Sequence, residues 1–346
     1  VTVYITMAVR KHVTLFDICK KAGVSSATVS RVINNSPLVQ EQTRKKVLKT
    51  IQDMGYRPSH AARMLARQRT DTLGVIFPDI AGGFYAEVLT GIDRVATEAH
   101  FHMLTAFSHG RKDAQTVMTR FAEERRVDAA IFMNLNPQTD SFLRGLGKAG
   151  LPTVLLHRPV AGLPTVTFDN VGGARQAVDH LVRMGHRRIA FLQGPPENYD
   201  AILREEGMKQ ALRAAGLELP AALRWAGDYS EESGNAAVVA FLKTGVPLPD
   251  AIFACNDSMA IGALVALQER GLRVPEDVAL VGFDDIASSR HLGLTSVRIP
   301  MRDLGRAAAE LAIALSRGEK PKKELIEMPT EVVVRRSCGA GRGRPA

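Results

Sequence analysis

The chain has 346 residues, more than one average hydrophobic core accommodates, so two or three domains are expected. An apolar fraction of 45% excludes wholesale disorder, and three scattered cysteines (Cys19, Cys255, Cys338) exclude a disulfide framework or a Cys/His metal spacing. The net charge of +9 is concentrated at one end: residues 1–70 hold thirteen Lys and Arg against three acids, and the remainder holds 32 against 33. A basic segment joined to a neutral body is the electrostatic footprint of nucleic-acid binding.

No run approaches the ~20 apolar residues of a membrane span. The opening VTVYITMAV lacks a basic stretch and a small-residue cleavage site, so no signal peptide is expected and a reducing cytoplasm is. Met7 is an alternative start, and the two starts stay open.

In chain order, TLFD from Thr14 to Asp17 has the form of a capping box, with apolar Ile18, Cys19 and Ala22 following. This predicts a short helix ending at Gly23. Ser25 then caps a second helix whose apolar positions Ala27, Val29, Val32 and Ile33 fall three to four apart. Gly23 in the tight turn between them gives a helix-turn-helix. A third helix is predicted over Glu41–Met54, with Val47, Leu48 and Ile51 inward and a stop at Gly55. From Thr72 the pattern changes to apolar strand-like runs alternating with helical ones: LGVIF, HMLTAF, AAIFMN, TVLL, RRIAFLQG, DAIFACND and VALVGFDD, with helices between. That is a βαβ series, hence parallel sheets covered by helices, and about 230 residues of it fit two similar lobes.

The second helix, GVSSATVSRVI at residues 23–33, has hydroxyls and little bulk on its front. In a helix-turn-helix that helix enters the major groove, where bulky residues would hold it away. Ser26 and the Ala27 methyl can meet base edges, and Arg31 can reach guanine bidentately. Ser25 as a mere cap and Arg31 as a phosphate contact stay open, as do both roles for Thr28 and Ser30.

The stretch from VTLFDICKKAGVSSATVSRVINNSPLVQEQTRKKVLKTIQDMGYRPSHAARMLARQRTDTLGVIFPDI resembles the start of a LacI/GalR-family transcriptional regulator, with the similarity extending to about residue 334. The resemblance implies an α/β protein: an N-terminal three-helix helix-turn-helix headpiece (12–58), a hinge segment (59–70) and a two-lobed periplasmic-binding-protein-like core (71–336). The lobes are expected at about 71–169 plus 300–320 and about 170–299 plus 321–336, with 337–346 a disordered basic tail. It further implies a homodimer on operator DNA and a small-molecule effector, most simply a sugar. No P-loop, HExxH or GxSxG is present and the histidines fall at no metal-ligand spacing, so no cofactor, no metal and no enzymatic activity are expected.

The expected DNA-contacting set is Thr14, Ser25, Ser26, Ala27, Thr28, Ser30, Arg31, Asn34, Tyr56, Arg63 and Leu65. HAARMLARQ after Ser59 is too short to be a stable helix alone and would fold when clamped by partner and DNA. By resemblance Leu65 wedges into the minor groove, unstacking a base step; plain core packing is its other reading.

Ligands of open α/β sheets bind beyond the carboxyl ends of strands. Asp79, His157, Arg158, Asn256 and Asp284 stand at such ends, and Phe84 and Tyr85 can add an apolar wall. Resemblance adds Arg204 as a ligand-contacting arginine, Tyr229 as an aromatic platform, Asn256 as an amide and Asp284 as a hydroxyl-binding carboxylate. Asp257 and Asp285 have equally good structural readings, as a helix cap and a turn anchor.

GLGKAG at 145–150 matches GxGxxG only formally, since it precedes a strand instead of following one. RGRP at 342–345 resembles an AT-hook core or is a plain basic tail, and without leucine heptads that tail argues against a coiled-coil tetramer. The rivals are a sugar-binding transport or sensory protein of the same core fold, a regulator with a nucleobase effector, and a Rossmann-type enzyme. Leu65→Ala is expected to lose operator affinity in a DNA titration with little change in free-protein melting; unaltered DNA affinity disposes of the wedge.

Overall fold

The computed structural model describes residues 13–33, 36–56, 69–78, 83–107, 111–134, 139–148 and 150–339. The chain forms two compact units that divide after Arg69.

The first unit contains α1 (Leu15–Ala22), α2 (Ser26–Ile33) and α3 (Glu41–Met54). The capping box is formed: Thr14 N donates to Asp17 Oδ2 at 2.8 Å while the Thr14 hydroxyl oxygen accepts from Asp17 N. Gly23 ends α1 in the left-handed region, φ 64°, where only glycine is unstrained. Ser25 Oγ accepts from Thr28 N at 3.2 Å, so its cap role is real. Ile18, Ala22, Val29, Val32 and Val47 form the core.

The second unit is a pair of α/β lobes. In chain order the first lobe contains β1 (Thr72–Phe77), α4 (Gly83–Glu98), β2 (His102–Phe107), α5 (Arg111–Glu123), β3 (Ala129–Asn134), α6 (Asp140–Lys148), β4 (Thr153–His157) and β5 (Thr165–Phe168). The second lobe follows with α7 (Asn170–Arg183), β6 (Ile189–Gln193), α8 (Tyr199–Ala214), β7 (Arg224–Ala226), α9 (Glu231–Leu242), β8 (Ala251–Ala254), α10 (Asp257–Gln268), β9 (Ala279–Asp284), α11 (Ala287–Leu292) and β10 (Thr295–Arg298). Then come α12 (Met301–Ser316), β11 (Leu325–Met328) and β12 (Glu331–Val333). The sheet orders are β11-β5-β4-β3-β1-β2 and β12-β10-β9-β8-β6-β7. Every pair is parallel except β10 with β12. Central strands such as β4, β8 and β9 are buried along their whole length, the pattern of sheets covered on both faces.

Two sequence expectations are corrected here. Residues 325–328 do not belong to the second lobe: β11 pairs with β5 in the first sheet, and only β12 returns to the second. The chain therefore crosses between lobes three times, after β5, after β10 and between β11 and β12. The tail does not begin at Ser337. The Ser337 hydroxyl donates to Leu280 O at 2.6 Å and accepts from Thr295 N at 2.8 Å. Cys338 is buried with its Sγ 3.2 Å from His180 Nε2. A small hydroxyl that satisfies two backbone groups holds this end against β9 and β10. Residues 340–346, with the RGRP motif, lie outside the described residues, as do residues 57–68 of the expected hinge.

α12 packs across α4 at backbone contact distance. A Cβ at Gly91 would collide with the Arg302 carbonyl oxygen, and one at Gly305 with that of Val88. Neither obstacle can swing away, because both are main chain. Gly305→Ala is expected to lower unfolding free energy by about 1–3 kcal/mol, measured by urea denaturation; an unchanged midpoint and slope would show that the two helices separate freely.

Candidate functional site

The cleft between the lobes encloses a cavity of about 630 Å³ at the carboxyl ends of the strands, where open α/β sheets place ligands. Of the residues expected there, Phe84, Tyr85, His157, Arg204, Tyr229, Asn256 and Asp284 line it. Asp79 lies outside the described residues. Arg158 does not line the cavity: both its Nη atoms donate to Asp140 Oδ2, at 3.1 and 2.6 Å. The carboxylate at the start of α6 captures a guanidinium that the strand end had suggested for the ligand.

Arg204 is the centre of the floor, 4% exposed. Its Nε donates to Asn170 Oδ1 at 2.8 Å, its Nη1 to the Cys255 carbonyl at 2.5 Å, and its Nη2 lies 3.3 Å from Asp284 Oδ1. The guanidinium also sits 3.9 Å above the Phe283 ring, a cation–π contact strengthened by the dry surroundings. Burial works against its charge, but Asp284, Tyr229, Cys255 and Asp200 together outweigh it and keep Arg204 fully protonated. Burial pushes the Asp284 carboxyl up against the pull of Arg204. The 3.3 Å approach to Oδ1 is not aligned as a hydrogen bond, so this buried oxygen is an acceptor with no protein donor among the described residues.

Three further polar groups extend the network. His157 Nδ1 lies 2.5 Å from Asp200 Oδ2 and ties the first lobe to α8, while Asn170 Nδ2 donates to Asp200 Oδ1 at 3.0 Å. Burial opposes ionisation of Asp200, yet His157, Arg204 and the Asn170 amide together hold its carboxyl below the usual range. The His157 ring stands edge-on to Phe84 and Phe168. Tyr229 donates its hydroxyl to Asn198 Oδ1 at 3.1 Å, and burial raises its pKa. Asn256 caps α10 through Met259 N and donates Nδ2 to the Tyr229 carbonyl. His157, Tyr229, Asp284 and Asp285 all have φ between 58° and 111°. Non-glycine residues held there store strain, which clusters at ligand sites.

Sequence reasoning missed Asp200, Asn170 and Asn198. The available signal was capping: Asn198 Oδ1 accepts from Asp200 N and Ala201 N at the start of α8. Asp257 is structural, its carboxylate accepting from Ser289 Oγ (2.5 Å), Ser296 Oγ (2.6 Å) and Ile286 N (3.0 Å). Asp285 is paired with Arg298 and Arg335.

In the first unit, α2 turns Val29 and Val32 into the core and leaves Ser26, Ala27 and Arg31 exposed, with Ser25 just ahead of them. Thr28 and Ser30 are half-buried at its edges. Thr14 is exposed but its hydroxyl is bonded to Asp17. Tyr56 is not on the expected DNA surface: after the left-handed Gly55 the chain folds back, Tyr56 N bonds Ile51 O, and the ring closes the three-helix core. An apolar residue after a helix-ending glycine commonly packs so. Asn34, Arg63 and Leu65 lie outside the described residues.

Residues 14–59 match the family described as bacterial regulatory proteins, lacI family, and residues 178–338 match the periplasmic binding protein-like domain. The catabolite control protein A of Priestia megaterium is 37% identical over 331 residues, covering 94% of this chain and 99% of its own. The chain belongs to the LacI family. The HTH-type transcriptional regulator CelR of Thermobifida fusca is 36% identical over 340 residues, covering 95% and 99%. Among solved structures, a lac repressor dimer bound to operator and the anti-inducer ONPF superposes with TM-score 0.83 at 30% identity, covering 95% of this chain and 99% of that one. A CelR–cellobiose complex gives TM-score 0.71 at 34% identity, covering 94% and 99%. CelR is described as an HTH-type transcriptional regulator. Among the described residues no helix is long and apolar enough to cross a membrane.

Burial, set against three hydrogen bonds, raises the Asp257 carboxyl to about 7. The folded state then keeps a proton that the unfolded chain releases near pH 4. This contribution to stability is complete below that pH and is lost as pH rises through about 7, at up to about 1.4 kcal/mol per pH unit. Asp257→Asn is expected to flatten the fall in melting temperature between pH 5 and 7; parallel wild-type and variant curves would assign the proton elsewhere.

Proposed function

We propose that the protein is a sequence-specific DNA-binding transcriptional regulator, a repressor in the simplest reading, whose operator affinity is set by a sugar bound in the cleft. The observation that carries this is α2: a slim, exposed face of Ser26, Ala27 and Arg31 on the one segment that holds the chain's whole excess of positive charge. Such a face can approach base edges, with Arg31 reading guanine and the Ala27 methyl meeting thymine. A homodimer would place two copies of α2 on the halves of a pseudo-palindromic site. The reading places the protein in the cytoplasm, with the DNA.

The cleft supplies the sensing half of the reading. Carboxylate, amide, guanidinium and aromatic groups converge there, the set that recognises paired hydroxyls and the apolar face of a sugar ring. The relatives' complexes with cellobiose and with ONPF support a sugar-class effector for this chain as well. Binding that draws the lobes together would bias the dimer between two states of operator affinity, a coupling typically worth ~1–3 kcal/mol.

The test is selection of binding sites from random duplexes at physiological salt, followed by titration with and without saccharides. A pseudo-palindromic consensus whose affinity changes at least about fivefold with one saccharide supports the reading. Equal affinity for every duplex, unmoved by any saccharide, overturns it. Arg31→Ala is expected to weaken the selected site by about 1–3 kcal/mol while leaving non-specific binding within a small factor.

A further inference from the structure

Resting on the sugar reading above, we propose that the effector is uncharged or cationic, and that the cleft rejects sugar phosphates and sugar acids. An anionic ligand needs a cation, a helix N-terminus or a row of open N–H donors. Among the described residues, carboxylates and already-partnered groups dominate the cavity wall.

The described cations at the cavity already face protein partners. Arg204 gives its Nε and Nη1 hydrogens to Asn170 and Cys255 and its charge to Asp284. His157 faces Asp200, and Arg158, the next guanidinium along the chain, is bound to Asp140.

Three of the helix ends at the cavity are also closed, while α4, which begins there at Gly83, has no acid in its first turn. Asn198, Ser230 and Asn256, which line the cavity, are the N-caps of α8, α9 and α10. Their side chains already accept from first-turn N–H groups of those helices. Two of these helices carry acids in that first turn, Asp200 in α8 and Glu231 and Glu232 in α9. These acids neutralise the positive ends of the helix dipoles that would otherwise attract a phosphate.

What remains open toward the ligand is of the opposite kind. The Asp284 Oδ1 acceptor is buried without a hydrogen-bond donor among the described residues, and Glu231 and Glu232 stand exposed at the cavity wall. An acceptor-rich wall is satisfied by hydroxyl or ammonium hydrogens, whereas a phosphate or carboxylate brings only further acceptors into a poorly solvated place.

The experiment measures binding to the full chain by calorimetry and thermal shift, using matched probes that differ only in charge. Glucose, glucosamine, glucuronate and glucose 6-phosphate form one set, and cellobiose with cellobionate another. The expected result is that the neutral or amino member of a set binds at least about tenfold tighter than its anionic counterpart. The double variant E231Q/E232Q should narrow that gap. An anionic member that binds as tightly as its neutral counterpart, or a gap unmoved by the double substitution, overturns the proposal and leaves the regulator reading intact. Binding of free nucleobases with no response to any saccharide overturns the sugar reading as well.

Discussion

Burying a guanidinium is costly unless its charge and its donors find partners, and the cleft is organised around supplying them to Arg204. A backbone carbonyl from the end of β8, an amide from the start of α7, a carboxylate from the end of β9 and an aromatic face from the same strand converge on one side chain. Each of those groups is held by its own element, so the positions of three strand and helix ends are locked to one another. Removing any one partner would leave a buried charge or amide unmet, which is far more damaging than losing a surface ion pair. The same centre reaches the first lobe through Asn170, Asp200 and His157. The floor of the cleft is therefore continuous across the boundary a ligand would straddle.

The strained backbone at the strand ends belongs to this scheme. His157, Tyr229 and Asp284 each occupy the left-handed half of conformational space while lining the cavity. A residue turned in this way redirects its side chain from the sheet face to the mouth of the cleft, at a cost of order 1–3 kcal/mol each. The surrounding hydrogen bonds offset the strain, and the result is a set of polar groups already aimed before any ligand arrives, which lowers the entropic cost of binding.

Much of this was legible in the residues. The alternation of strand and helix runs reflects burial on both faces of a parallel sheet, which leaves a periodic mark on composition. The capping box at Thr14 and the glycine stops at Gly23 and Gly55 are local chemistry, read from four or five neighbouring residues. What depended on distant partners was not legible. β11 and β12 look alike in sequence, and only the edges left free by β5 and β10 decide that one joins each sheet. Arg158 and Arg204 both follow or precede apolar runs, and nothing local shows that Asp140 claims the first while a ring of carbonyl, amide and carboxylate holds the second. Ser337 reads as the start of a polar tail because its two backbone partners lie 42 and 57 positions away. Tyr56 reads as surface for a similar reason, since its burial follows from the path of the chain after Gly55.

The three crossings between lobes lie side by side. Asp169 N bonds the Met328 carbonyl, Thr330 Oγ1 bonds the Asp169 carbonyl, and Arg298 is in register with Glu331. These bonds tie the three crossings into one strap, so they cannot shift independently of one another. Any rocking of one lobe on the other must therefore bend these three strands together.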